Sequence, residues 1–157
     1  MNLIKMNLLK YDLSFSIANN EEFYEIKHFL KRNKTHSANR DDIIYLVRAG
    51  TSIIGLARLL KIDDQAGALW LRGLYIQDPW RNKGIASQLL LEILQSQQNQ
   101  FKTKSLFAFA EPHLAPFYNH NKYEIIDKSA LPQSLKQKYC NAQEQGKNWL
   151  CLVKSIN

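Results

Sequence analysis
At 157 residues and 18.3 kDa the chain has the length of one ordinary domain, and its 45% of hydrophobic residues, with seven Phe, seven Tyr and three Trp, exclude a disordered chain, which lacks the apolar surface to offset ordering entropy. A net charge of +7 favours an anionic partner: nucleic acid, an acidic membrane surface or a phosphorylated cofactor. No stretch is long enough to span a bilayer, and Met1 to Lys10, broken by Asn2, Lys5, Asn7 and Lys10, lacks the apolar centre and cleavage site of a signal peptide. One soluble, cytoplasmic domain over residues 1–157, with its core at about 13–154, is the expectation.

Leu13 to Ala18 alternates Leu13, Phe15 and Ile17 against Ser14 and Ser16, the period of a half-buried strand. Asn19 or Asn20 then caps a helix near Glu21 to Arg32, acidic in its first turn, basic in its last, with Phe23, Ile26, Phe29 and Leu30 at helical spacing. Ile43 to Arg48 and Ser52 to Ile62 read as a hairpin about Ala49-Gly50-Thr51, and Ala68 to Gln77 adds a third strand after the turn Asp63 to Gly67. Gly73, inside that third strand, predicts a bulge or a close backbone approach. Asp78-Pro79-Trp80 ends the strand, and a helix runs from about Gly84 to Gln97, on Ile85, Ala86, Leu89, Leu90, Ile93 and Leu94. A strand at Ser105 to Ala110, a short helix at Pro112 to Asn119, a strand at Tyr123 to Ile126, a helix at Ser129 to Tyr139 interrupted by Pro132, and a strand at Trp149 to Val153 complete an α/β domain with a mixed sheet.

The basic run Lys27, Lys31, Arg32, Lys34 has the spacing of a solvated helix face without interleaved stacking aromatics, so a nucleic-acid partner is not expected. Cys140 and Cys151 have neither Cys-x-x-Cys spacing nor histidines placed to share a metal; both read as reduced thiols, and no metal is expected.

Arg81-Asn82-Lys83-Gly84-Ile85-Ala86 lies where a strand passes through a tight turn into a helix. N–H groups at a helix start have no partner within the helix and sit at the positive end of its dipole, so they bind phosphate. Gly84 and Ala86 would be small to let the phosphate approach the backbone. By spacing alone an ordinary glycine-capped connection fits equally well. The P-loop and dinucleotide glycine patterns are both missing from the chain, which leaves kinase and dehydrogenase readings without support.

The run Leu74-Tyr75-Ile76-Gln77-Asp78-Pro79-Trp80-Arg81-Asn82-Lys83-Gly84-Ile85-Ala86 resembles the coenzyme A motif of the GNAT superfamily, Arg/Gln-x-x-Gly-x-Gly/Ala after a strand. Leu114-Ala115-Pro116-Phe117-Tyr118-Asn119-His120-Asn121-Lys122-Tyr123 is similar to its second signature, an aromatic-Tyr pair shortly before Gly-Phe. The resemblance implies a single-domain α/β fold with a mixed, mostly antiparallel central sheet flanked by helices, and acetyl-CoA as acyl donor without a metal. In that family the strand before the loop and a later strand splay apart around the pantetheine arm. Carried over, Leu74, Tyr75 and Ile76 would pair with the arm, Arg81, Asn82, Lys83, Gly84, Ile85 and Ala86 would hold the pyrophosphate, and a backbone donor at Leu74 would stabilise the oxyanion. Tyr118 would be the general acid for the coenzyme A thiolate; a phenol near ~10 giving its proton to a thiol near ~8.5 goes uphill by about 2 kcal/mol.

Two positions depart from the pattern: Lys122 stands where the second motif has glycine, and Glu111 where many relatives have a cofactor-contacting asparagine. The fourth strand offers Trp70, Arg72 and Leu74, with no base, which leaves Glu111 as the one carboxylate near the expected cleft. His28, His36, His113 and His120 read as surface residues, His120 turned about 200° from Tyr118 on its helix. The expectation is acetyl transfer to the primary amine of a small molecule or amino acid by direct attack. An acyl-CoA-binding module without transfer activity, a peptide N-acetyltransferase and a homodimer all stay open.

Overall fold
The computed structural model describes Leu8 and residues 10–156. The chain order is β1 (Leu13–Ile17), α1 (Phe23–Arg32), β2 (Ile43–Ala49), β3 (Ser52–Lys61), β4 (Ala68–Ile76), α2 (Ile85–Gln100), β5 (Ser105–Ala110), α3 (Ala115–His120), β6 (Glu124–Ile126), α4 (Gln133–Glu144) and β7 (Leu150–Ser155), with 3-10 turns at Asn20–Glu22, Pro112–Leu114 and Lys128–Ala130. The strands form one seven-stranded sheet in the order β1-β2-β3-β4-β5-β7-β6. Its β1–β2, β2–β3, β5–β7 and β6–β7 pairs are antiparallel and its β4–β5 pair parallel, the mixed sheet the sequence predicts.

The residues fall into two compact units, one running to Leu59 and resuming at Gly73–Ile93, the other made of Leu60–Arg72 and the chain from Leu94 on. In the first, Asn19 closes a capping box: its side chain accepts from the Glu22 N–H while the Glu22 carboxylate accepts from the Asn19 N–H. The helix stripe the sequence predicts, Phe23, Ile26, Phe29 and Leu30, packs against Ile44, Leu46, Ile53 and Leu56. Each such side chain contributes roughly 1.5–3 kcal/mol of burial. Arg48 ties β2 to the start of α1 through Glu22 at 2.7 Å and Glu25 at 2.8 Å. Gly55 is where β3 meets β4: a Cβ there would stand 2.8 Å from the Tyr75 carbonyl, so only glycine fits.

In the second unit, Leu135 and Tyr139 of α4 pack with Ile62, Ala68, Trp70, Phe107 and Cys151. Burial pushes the Cys151 thiol up to about 11. Pro132 does not interrupt a helix as the sequence reading has it. It is the cap from which α4 starts, and the expected helix at Ser129 to Tyr139 is a 3-10 turn followed by α4 running on to Glu144. The glutamine-rich end of α2 also continues past the predicted Gln97, which is fully buried and accepts a 2.6 Å hydrogen bond from the Thr103 hydroxyl.

Candidate active site
The β4–β5 ladder pairs Ala68 with Ser105 through Leu71 with Ala108 and stops there. Beyond it, Gly73 adopts φ +67, a left-handed conformation that glycine enters at no steric cost. Leu74 and Tyr75 are half-buried, and Ile76 is buried. The Tyr75 ring meets Phe29 edge-on at 6.0 Å, and its hydroxyl donates to Asn33 Oδ1 at 3.3 Å, which fixes this stretch of β4 on α1.

After β4 the chain turns through Asp78–Pro79–Trp80 into the Arg81 to Ala86 segment. Asn82 at φ 62 and Gly84 at φ 83 both adopt the left-handed region, and asparagine and glycine are the residues that enter it at least cost. The Gly84 carbonyl accepts from the Gln88 N–H, and the helix runs on from Ile85, whose side chain is 1% exposed and anchors the first turn. Residues 81 to 84 are exposed. The exposed turn thus leads straight into the start of α2, and a helix start is a place where unpaired N–H groups and the dipole favour an anion such as phosphate.

Arg81 is more committed than its sequence role suggests. Its Nε donates to the Ile76 carbonyl at 2.6 Å, its guanidinium lies 5.1 Å over the Tyr75 ring, and Asp78 stands 3.5 Å away. It braces the turn against the end of β4. Tyr11, which the sequence reading passes over, lies under the same turn: Trp80 meets it edge-on at 5.4 Å and Lys83 Nζ stands 5.9 Å over its ring. A lone tyrosine before a strand carries no pattern that could have revealed this.

In the second unit, α3 buries Tyr118 and leaves His120 exposed, as their spacing on a helix requires. Tyr118 packs edge-on against Phe117 at 5.1 Å and Tyr123 at 5.5 Å, and burial pushes its phenol up to about 12. Lys122, where the second motif has glycine, sits at φ 69, so the turn keeps the left-handed conformation that glycine serves. Glu111 is exposed at the end of β5 and accepts a 3.1 Å hydrogen bond from Trp149 Nε1, while Trp149 stacks on Phe109 at 6.0 Å. Arg72 and Lys138 bring two cations to the Trp70 ring, at 4.3 and 6.0 Å.

His28, His36, His113 and His120 are exposed, as are Lys27, Lys31, Arg32 and Lys34. Among the described residues no group of three or more His, Cys, Asp or Glu is placed to hold a metal ion, and no helix is long and apolar enough to cross a membrane.

Several solved structures share the fold. N-acetylglutamate synthase from Neisseria gonorrhoeae, with coenzyme A and N-acetyl-glutamate, superposes with a TM-score of 0.72 at 15% identity over 92% of this chain and 35% of that one. The chain thus spans about a third of that enzyme's length. A GNAT-family acetyltransferase from Staphylococcus aureus gives 0.68 at 14% identity over 92% of this chain and 99% of that chain. Spermidine N-acetyltransferase from Vibrio cholerae, with coenzyme A and spermine, gives 0.59 at 11% over 74% and 83%. At such identities these likenesses establish the fold alone. No curated protein matches the chain in sequence. The model of the acetyltransferase (GNAT) domain, however, matches residues 40–125, more than half of the chain, and that span holds the left-handed Gly73 of β4, the left-handed turn into α2 and the buried Tyr118. The chain belongs to the GNAT acetyltransferase family.

Proposed function
We propose that the chain transfers the acetyl group of acetyl-CoA to a primary amine of a small molecule or amino acid by direct attack on the thioester. The observation that carries this reading is the turn from Arg81 to Ala86, where left-handed Asn82 and Gly84, exposed Lys83 and the start of α2 meet inside the family match. In this reading Lys83 and the backbone N–H groups of Gly84, Ile85 and Ala86 hold the pyrophosphate, and Arg81 braces the turn that presents them. Leu74, Tyr75 and Ile76 offer backbone to the pantetheine arm, with the Leu74 N–H as oxyanion donor.

The amine nitrogen bonds to the thioester carbon, the C–S bond breaks, and Tyr118 donates its proton to the departing thiolate. The amine's own proton leaves through water, with Glu111, already bonded to Trp149, assisting at most. An acceptor bearing a carboxylate suits the +7 charge and the two cations at the Trp70 ring.

The test is coenzyme A release from acetyl-CoA against a panel of amino acids, polyamines and short peptides, with the acetylated product identified by mass spectrometry. Release with at least one amine, strongest among carboxylate-bearing ones, is the expected result. Acetyl-CoA binding without release for any amine would make the chain a binding module; failure to bind acetyl-CoA would overturn the reading altogether.

A further inference from the structure
Arg58 is the one charged side chain in the otherwise apolar run from Ile53 to Leu60, and it is 4% exposed. Its Nη1 donates to Asp42 Oδ2 at 3.0 Å, and both side chains are out of solvent, 5% and 4% exposed. Asp42 is in turn fixed by the Asn39 N–H, which donates to the same oxygen at 3.0 Å. Replacing a buried ion pair with apolar side chains of similar volume is often neutral or stabilising, so filling space in the core does not account for this one.

The guanidinium lies against β4 at one point. A Cβ built on Gly73 would stand 2.7 Å from Arg58 Nε and 3.3 Å from Nη2, so the arginine crosses the strand over the residue that has no side chain. Gly73 is also the residue with φ +67, and the next N–H along the chain belongs to Leu74. A buried charge, a left-handed residue and a contact that only glycine permits coincide at one residue of β4. Of the three the buried ion pair is the costly one, and costly local features persist where the surroundings over-determine them and cluster at functional sites.

We propose that Arg58, anchored by Asp42, is a positioning residue: it holds Gly73 in its left-handed conformation and thereby aims the Leu74 N–H that receives the thioester oxygen. This deepens the proposed function and rests on its assignment of the Leu74 donor. Oxyanion donors act only when fixed in place, to within about half an ångström and 10–20°, before the charge develops. A flexible side chain over Gly73 would leave the peptide free to turn; a planar guanidinium held at its far end by a carboxylate does not.

The experiment uses the full chain and four proteins: wild type, Arg58→Lys, Arg58→Met, and Arg58→Met with Asp42→Asn. The last keeps the acceptor for Asn39 but leaves no buried carboxylate unpaired, so it reports even where Arg58→Met fails to fold. Three quantities are read: the Leu74 amide resonance without ligand, the carbonyl carbon-13 shift of bound acetyl-CoA labelled at that carbon, and kcat alongside the acetyl-CoA Kd.

Loss of Arg58 is expected to move the Leu74 amide, return the bound carbonyl towards its free value, and lower kcat by about 10- to 100-fold with Kd changed less than about threefold. Arg58→Lys, which keeps the charge without the planar fork, recovers part of the loss. An unmoved Leu74 amide and carbonyl in the double variant would overturn the proposal, as would a parallel loss of Kd, kcat and melting temperature, the mark of mere structural support. If the wild-type carbonyl is itself unshifted on binding, the assignment of the Leu74 donor fails. In that event the ligand-free amide still decides whether Arg58 sets the backbone.

Discussion

Tyr118 offers the sharpest test of the proposed chemistry, because its burial changes the arithmetic of proton donation. With the phenol pushed up to about 12, transfer to a thiolate near ~8.5 is uphill by about 5 kcal/mol, against about 2 kcal/mol for an ordinary tyrosine. The same shift keeps the acid loaded: near pH 10.5 an unperturbed phenol would be about three-quarters ionised, whereas one at about 12 is only about 3% ionised. The perturbation is Tyr118→Phe, which removes the hydroxyl and keeps the ring against Phe117 and Tyr123. We expect kcat to fall on the order of 10²-fold, the acetyl-CoA Kd to hold, and the ratio of wild type to variant to stay constant up to near pH 10.5.

Stability gives an independent reading of the same shift. The folded-state pKa lies above the unfolded value near ~10, so the associated stability is fully present below about pH 10 and is lost as pH rises through about 12. Urea unfolding at pH 9 and near pH 11.5 should show a loss to which Tyr118 contributes about 2 kcal/mol and which Tyr118→Phe partly removes. It is only partly removed because Tyr123, raised by burial and by Tyr118, shares the effect. Equal kcat in the two proteins would refute the general-acid role. An alkaline loss of kcat centred near pH 10 that disappears in Tyr118→Phe would instead refute the burial argument.

Three further outcomes follow from the same sites. Gly84→Glu should abolish acetyl-CoA binding in calorimetry by placing a carboxylate at the turn, while Gly84→Ala, which shares the left-handed strain at φ 83, should retain it; a folded Gly84→Glu protein of unchanged affinity would remove the phosphate assignment. Lys122→Gly should raise the melting temperature by a few degrees, since relief of a left-handed lysine, roughly 1–2 kcal/mol, exceeds the extra backbone entropy of glycine in the unfolded chain, roughly 0.4–1 kcal/mol. Glu111→Gln should change kcat/KM by less than about tenfold between pH 6 and 8, because its carboxylate is solvated and tied to Trp149; loss of an ionisation in that window together with 10²-fold of activity would make it the base.

The elements with a strong period were legible from residues alone. The α1 stripe and the β2–β3 hairpin follow the side-chain repeat, and Gly73 marked a special backbone position because a glycine inside a strand has few other uses. What stayed hidden depends on partners distant in sequence. Nothing in the spacing of Arg58 within its apolar run points to Asp42, sixteen residues earlier, or to Gly73, and the sequence reading passes over it. Arg81 reads as a phosphate ligand because its type and position suit one; its bond to the Ile76 carbonyl is a matter of rotamer, which spacing does not encode. Pro132 reads as a break within a helix, since the cap position is defined by the backbone after it and not by the proline itself.

The burial of Cys151 settles a practical matter for every assay that counts released coenzyme A by disulfide exchange. A thiol at about 11 is thiolate in about one molecule in a thousand at pH 8, and the thiolate is the reacting species, so this residue consumes the reagent far more slowly than coenzyme A does. Cys140, half-buried on α4, is then the source of any protein background, and a Cys140→Ser control separates that background from turnover.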